Sequence, residues 1–92
     1  WTYFANDIAY HMDKIDRKKE ALELCLNIGK KIRKIRKEKK LTISEVSYRA
    51  NVEPQNFRKY ELGKQEMRIS MLFRIAEALE IKPNELLDFD KK

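Results

Sequence analysis

Residues 41–64 read LTISEVSYRANVEPQNFRKYELGK, and the fold turns on what this stretch forms. Leu41 leads into Thr42-Ile43-Ser44-Glu45. That is the spacing of a capping box, in which a threonine hydroxyl accepts from the amide three residues on while the glutamate reaches back. A short helix is predicted from there through about Ala50. Asn51 tolerates the left-handed conformation that a tight helix-to-helix turn needs. Glu53-Pro54 then opens a second helix, with proline at the favoured first helical position. Phe57 and Tyr60 face a core, and Gly63 closes the helix as its left-handed C-terminal residue. Ala50-Asn51-Val52 is the turn between the two helices, and Ser47 supplies the small side chain needed where they touch.

Upstream, Ile28, Ile32 and Ile35 recur at helical spacing within the basic run GKKIRKIRKEKK, residues 29–40. Before it, Ile8, Met12, Ile15, Leu22 and Leu26 follow steps of 4, 3, 7 and 4, with Lys19 at the skipped position. Trp1, Tyr3, Phe4 and Tyr10 make the start of this helix aromatic, and charged residues at 13–20 fill its other side. Asn27 or Gly29 is the expected break between the two helices, since glycine inside a helix costs about 1 kcal/mol against alanine. Downstream, Ile69, Leu72, Phe73, Ile75, Ala76 and Leu79 form an amphipathic helix, and Met67, Met71 and Phe73 are expected in the core. Lys82-Pro83-Asn84-Glu85 starts a last short helix, with Leu86, Leu87 and Phe89 as its apolar face. No strand, repeat or low-complexity linker is visible. The fold class is all-α, divided into an amphipathic helix over 1–26, for packing or dimerisation, and a helical domain over 27–90.

Composition agrees. The chain has 92 residues, enough for one domain, with 2 Gly and 2 Pro, 39% charged and 42% apolar residues. Cys25 is the only cysteine, which excludes an internal disulfide and suits a reducing compartment. No run of about 18 apolar residues suggests a membrane span. No signal peptide is visible, and a start at Trp1 instead of Met leaves room for an upstream piece. Residues 30–64 hold 12 basic and 4 acidic side chains, net +8, between flanks of net −1 each. A basic middle between near-neutral ends is the footprint expected for a polyanion partner. A helix, tight turn and helix are also how some proteins lay one helix across a nucleic-acid backbone and a second in a major groove.

One family carries these residues in the same order. Ile28-Gly29-Lys30, Arg36, Leu41-Thr42, Glu45-Val46-Ser47, Phe57, Tyr60-Glu61-Leu62-Gly63-Lys64, Ile75-Ala76-Glu77-Ala78-Leu79 and Pro83-Asn84-Glu85-Leu86-Leu87 resemble the helix-turn-helix family of phage repressors, Cro proteins and bacterial xenobiotic-response-element regulators, over residues of about 28–87. The resemblance implies a five-helix repressor-like bundle, here with an additional N-terminal helix. It implies a cytoplasmic, DNA-associated regulator of bacterial or phage origin, in most cases a repressor that binds double-stranded DNA as a homodimer through a recognition helix at 53–62. It also implies a partly buried ion pair between Arg36 and Glu61.

On such a helix, Gln55 can make a bidentate contact to adenine and Lys59 can reach guanine O6 and N7, with Asn56 and Arg58 beside them for bases or phosphates. Thr42 and Ser44, at a helix N-terminus whose amides face an anion, would anchor phosphate, together with the Gly63 amide and Lys64. Five positions depart from the family pattern. Ile43 replaces a glutamine, Glu53 a serine cap, and Pro54 brings no donor to the first reading position. Asn51 and Lys40 stand where the family has glycine.

Other readings stay open. An antitoxin-like or adaptor module with weak DNA binding would use the same fold, and residues 28–40 could lie on a membrane surface. His11 has no companion at metal-ligand spacing and Cys25 reads as a small packed hydrophobe. Asp13, Asp16 and Glu20 read as solvated. No catalytic set, cofactor or small-molecule pocket is evident.

Overall fold

Five helices follow one another in the computed structural model: α1 Thr2–Glu38, α2 Ile43–Ala50, α3 Pro54–Glu61, α4 Ile69–Ala78 and α5 Pro83–Leu86. The structure describes the backbone of residues 2–89 and side chains from 17 to 89, and no strand occurs among the described residues. The expectations placed on the side chains of Trp1, Tyr3, Phe4, Ile8, Tyr10, His11, Met12, Asp13, Ile15 and Asp16, and on residues 90–92, lie outside them.

The expected break at Asn27 or Gly29 does not occur. The additional N-terminal helix and the first helix of the bundle are one continuous element of 37 residues. The reason is local. A Cβ on Gly29 would lie 2.4 Å from the Glu61 carbonyl oxygen and 2.5 Å from that of Tyr60. Glycine therefore lets the α1 backbone rest directly on the end of α3. That close approach offsets its poor helix propensity, which assumed an exposed position. At 1.5 Å per residue α1 is about 55 Å long, which accounts for the 57 Å long axis of the molecule.

The core takes Ile32 from α1, Val46 and Ala50 from α2, Phe57 and Tyr60 from α3, Leu72, Ile75, Ala76 and Ala78 from α4, Leu79 just beyond it, and Leu86 from α5. Ile28, Ile35, Leu41, Met67 and Met71 pack around it, half-buried. Ser47 is buried, as its small size suggested, though its hydroxyl has no hydrogen-bond partner. Three apolar residues depart from expectation. Phe73 is 55% exposed, and Ile69 and Leu87 are exposed as well. The buried stripe of α4 runs through Leu72, Ile75, Ala76 and Leu79, and Phe73 lies about 100° round the helix from Leu72. Phe89 is half-buried beside Asn27, Lys30, Lys31 and Lys34 of α1.

The first four helices end in the same way. Lys40, Asn51, Gly63 and Glu80 have φ of 57°, 56°, 69° and 60°. Each donates its N–H to the carbonyl three residues back, and the following residue donates five back, as in Leu41 N to Arg36 O at 3.0 Å and Val52 N to Ser47 O at 3.0 Å. These are Schellman endings. The residues after three of them, Leu41, Val52 and Ile81, turn their side chains onto the core. Lys40 and Asn51, two of the departures from the family pattern, thus occupy left-handed positions that glycine adopts without strain.

Three arginines tie the helices together. Arg36 Nε donates to Glu61 Oε2 at 2.6 Å, its Nη2 donates to Oε1 at 3.2 Å, and its Nη1 donates to the Leu41 carbonyl at 2.9 Å. Both partners are buried. Arg74 of α4 donates to the carbonyls of Ala50, at 2.8 Å, and Asn51 at the end of α2. Arg49 of α2 donates to Ala78 O at the end of α4, 3.3 Å away. The two helices cap each other's carbonyl ends, where cationic side chains also meet the favourable end of the helix dipole.

Three outcomes follow for stability. Arg36→Met should cost about 3–5 kcal/mol in denaturant unfolding, because Glu61 is left as an uncompensated buried charge; a parental midpoint would refute this. Gly29→Ala should lower the melting temperature, although alanine gains about 1 kcal/mol of intrinsic helix propensity. Lys40→Gly should raise stability by about 1 kcal/mol by relieving the left-handed backbone, read from the shift in thermal midpoint.

Candidate nucleic-acid interface

α3 has no side-chain cap: Glu53 makes no capping hydrogen bond, and the helix starts on Pro54, whose fixed φ suits the first turn. Phe57, Tyr60 and Glu61 turn inward. With 100° between successive residues, Gln55 and Lys59 then fall in the middle of the opposite side, one turn apart. Both are exposed, with exposed Arg58 on one flank and half-buried Asn56 on the other. Four polar side chains therefore share one outward surface of two turns. The Arg36–Glu61 pair and the contact at Gly29 hold the last residues of the same helix.

The N-terminus of α2 lies just after the basic run. The Glu45 amide donates to Thr42 Oγ1 at 3.1 Å and the Thr42 amide donates to Glu45 Oε1 at 2.9 Å. The capping box is complete. The backbone hydrogen bond from Thr42, and then that of its side chain, hold the Glu45 carboxyl below the usual carboxylate range. Thr42 and Ser44 are exposed, but the Thr42 amide is occupied by this glutamate, so Thr42 can offer an anion only its hydroxyl. The Gly63 N–H donates to Tyr60 O at 3.1 Å, the bond that the left-handed ending read from the sequence entails, and exposed Lys64 follows it.

Tyr48 drew no role from the sequence, yet it is 88% exposed. It stands one turn beyond Ser44 on α2. With Ser44, Asn51, Val52, Glu53 and Pro54 it lines a shallow hollow between α2 and the start of α3. A tyrosine in an amphipathic helix reads as core until its neighbours Val46, Ser47 and Ala50 are seen to fill the buried side. The single cysteine lies away from this surface. Burial, and then the Glu66 carboxylate, push the Cys25 thiol up. It sits in a hollow with Ala21, Leu24, Ile28, Gln65, Glu66 and Met67. Among the described residues, no group of three or more His, Cys, Asp or Glu is placed to hold a metal ion, and no helix is long and apolar enough to cross a membrane.

Comparison with known proteins agrees with this architecture. A helix-turn-helix domain model matches residues 29–89, well over half the chain. Against curated protein sequences no match is found. Among solved structures, the chain is similar to the restriction-modification controller protein C.AhdI from Aeromonas hydrophila. That match has a TM-score of 0.66 and 22% identity, and covers 67% of this chain and 94% of that one. It is also similar to the clp gene regulator ClgR from C. glutamicum, with a TM-score of 0.68 and 25% identity, covering 70% of this chain and 83% of that one. The matched region starts at the glycine that seats α1 on α3 and ends where the described backbone ends. The chain belongs to the XRE-type helix-turn-helix family, and is a DNA-binding transcriptional regulator.

Proposed function

We propose that the protein is a repressor that binds a near-palindromic DNA operator as a homodimer, reading bases through α3. The observation that carries this is the outward pair Gln55 and Lys59, one turn apart on a helix whose other side is locked into the core. In this reading Gln55 pairs with an adenine and Lys59 with a guanine, while Asn56 and Arg58 contact bases or phosphates beside them. Thr42, Ser44 and Lys64 hold the phosphate strands on either side, joined by the Tyr48 hydroxyl at the edge of α2. Ile43 offers a methyl contact to thymine in place of a polar anchor. The segment 1–26 brings two subunits together, and 27–90 carries the DNA contacts.

A second reading, an antitoxin-like or adaptor module with weak DNA binding, is favoured by one feature. Glu53 is exposed at the start of the reading helix, where a carboxylate repels phosphate, and Pro54 beside it has no donor.

Selection of bound sequences from a random DNA pool separates the two. The repressor reading expects paired half-sites about one helical turn, roughly 34 Å, apart. With on the order of four phosphate contacts per subunit, binding should fall with salt at a log–log slope of about −7 for the dimer. Gln55→Ala with Lys59→Ala should remove at least about 2 kcal/mol of discrimination against the wrong base at each half-site. A flat salt response, or selection of no sequence at all, would leave the adaptor reading.

A further inference from the structure

α1 carries two apolar stripes on different sides. Ile28, Ile32 and Ile35 belong to the first, which packs into the bundle. The second is the heptad series Ile8, Met12, Ile15, Lys19, Leu22 and Leu26, centred about 150° round the helix from the first. Where side chains are described, this second stripe is uncovered: Leu22 is 58% exposed and Leu26 45%. Leu26 rests on Gly63 along one edge, and the next heptad position, Gly29, is occupied by α3 of the same chain. The open seam therefore ends at residue 26. Leu24, by contrast, faces the hollow with Cys25, Ile28 and Met67 of its own chain.

We infer that residues 8–26 of α1 pair with the same segment of a second copy as a parallel, in-register two-stranded coiled coil. This rests on the homodimer reading above and specifies its geometry. Charge decides the direction. With Met12, Lys19 and Leu26 at the a positions and Ile8, Ile15 and Leu22 at d, the g positions hold His11 and Lys18 and the e positions hold Asp16 and Glu23. In a parallel pair each g residue meets the e residue five further along the partner. That sets Lys18 against Glu23 and His11 against Asp16, on both sides of the seam. An antiparallel pair centred on the seam would set Asp16 against Asp16 and Lys18 against Lys18, and would leave Glu23 facing Ala9 with no base. Lys18 and Glu23 are both exposed. The basic Lys19 at a central a position weakens the seam but selects two strands and a single register, as one polar a residue does in such coils.

Sedimentation equilibrium of the full chain tests the pairing, and charge reversal tests its register. The parent should be dimeric at about 100 μM, Lys18→Glu should raise the dimer dissociation constant about tenfold, and Lys18→Glu with Glu23→Lys should return it to within about threefold of the parent. A cross-link tests direction. In a Cys25→Ser background, Leu22→Cys should oxidise to a disulfide-linked dimer; in an antiparallel pair centred on the seam the two sulfurs would be separated by about 15 Å along the axis. A monomeric parent, a double reversal no tighter than the single one, or a dimer without the 22–22 bond would each overturn the coil. DNA selection by the same samples is scored separately. Loss of the coil with half-site selection retained sinks this inference alone, and a cross-linked dimer that selects no sequence sinks the repressor reading alone.

Discussion

The buried pair of Arg36 and Glu61 is the constraint on which the arrangement depends. One guanidinium joins three parts of the chain: the last turns of α1, the carbonyl of Leu41 before α2, and the last residue of α3. The planar fork satisfies both carboxylate oxygens and turns a third donor to the backbone. Desolvating two charges in a domain this small is costly. Here that cost is offset by three hydrogen bonds in fixed directions, a use that a hydrophobic pair of equal volume could not serve. Glu61 lies two residues beyond Lys59, so the pair sets the rotation of α3 about its own axis. Gly29 fixes the same helix end by bringing the α1 backbone against the carbonyls of Tyr60 and Glu61.

The rest of the scaffold holds the turn between α2 and α3. Arg74 and Arg49 cap α2 and α4 reciprocally, so the turn at Asn51 is anchored from the far side of the bundle. Four successive helices end in left-handed residues, and only Gly63 is the residue type best suited to that geometry. The chain accepts strain at Lys40 and Glu80 because the residues that follow, Leu41 and Ile81, reach apolar contacts through it. For a binding surface made of outward side chains, the benefit is preorganisation. The groups of α3 stand on a helix with little freedom left to lose on contact.

The unbroken α1 links two parts of the molecule that the sequence alone divides. Because the helix passes through Gly29 without a break, the exposed leucines at 22 and 26 and the buried Arg36 belong to one rod. Any partner that fixes the direction of the N-terminal segment also fixes the direction of the bundle, with only helix bending between them.

The sequence by itself determined the order of the helices from Ile28 onward, the capping box at Thr42, the left-handed turn at Asn51 and most of the core, because each depends on residues within a few positions of one another. It also marked Gln55 and Lys59 as polar residues of α3 one turn apart, since helical period alone puts Phe57 and Tyr60 on the other side. Only the tertiary structure decided two things. Gly29 is a contact and not a break, because its neighbours are carbonyls more than thirty residues away. Phe73 and Tyr48 stay outside, because which side of a helix is buried depends on what other helices lie against it, and an aromatic residue has the same hydropathy on either side.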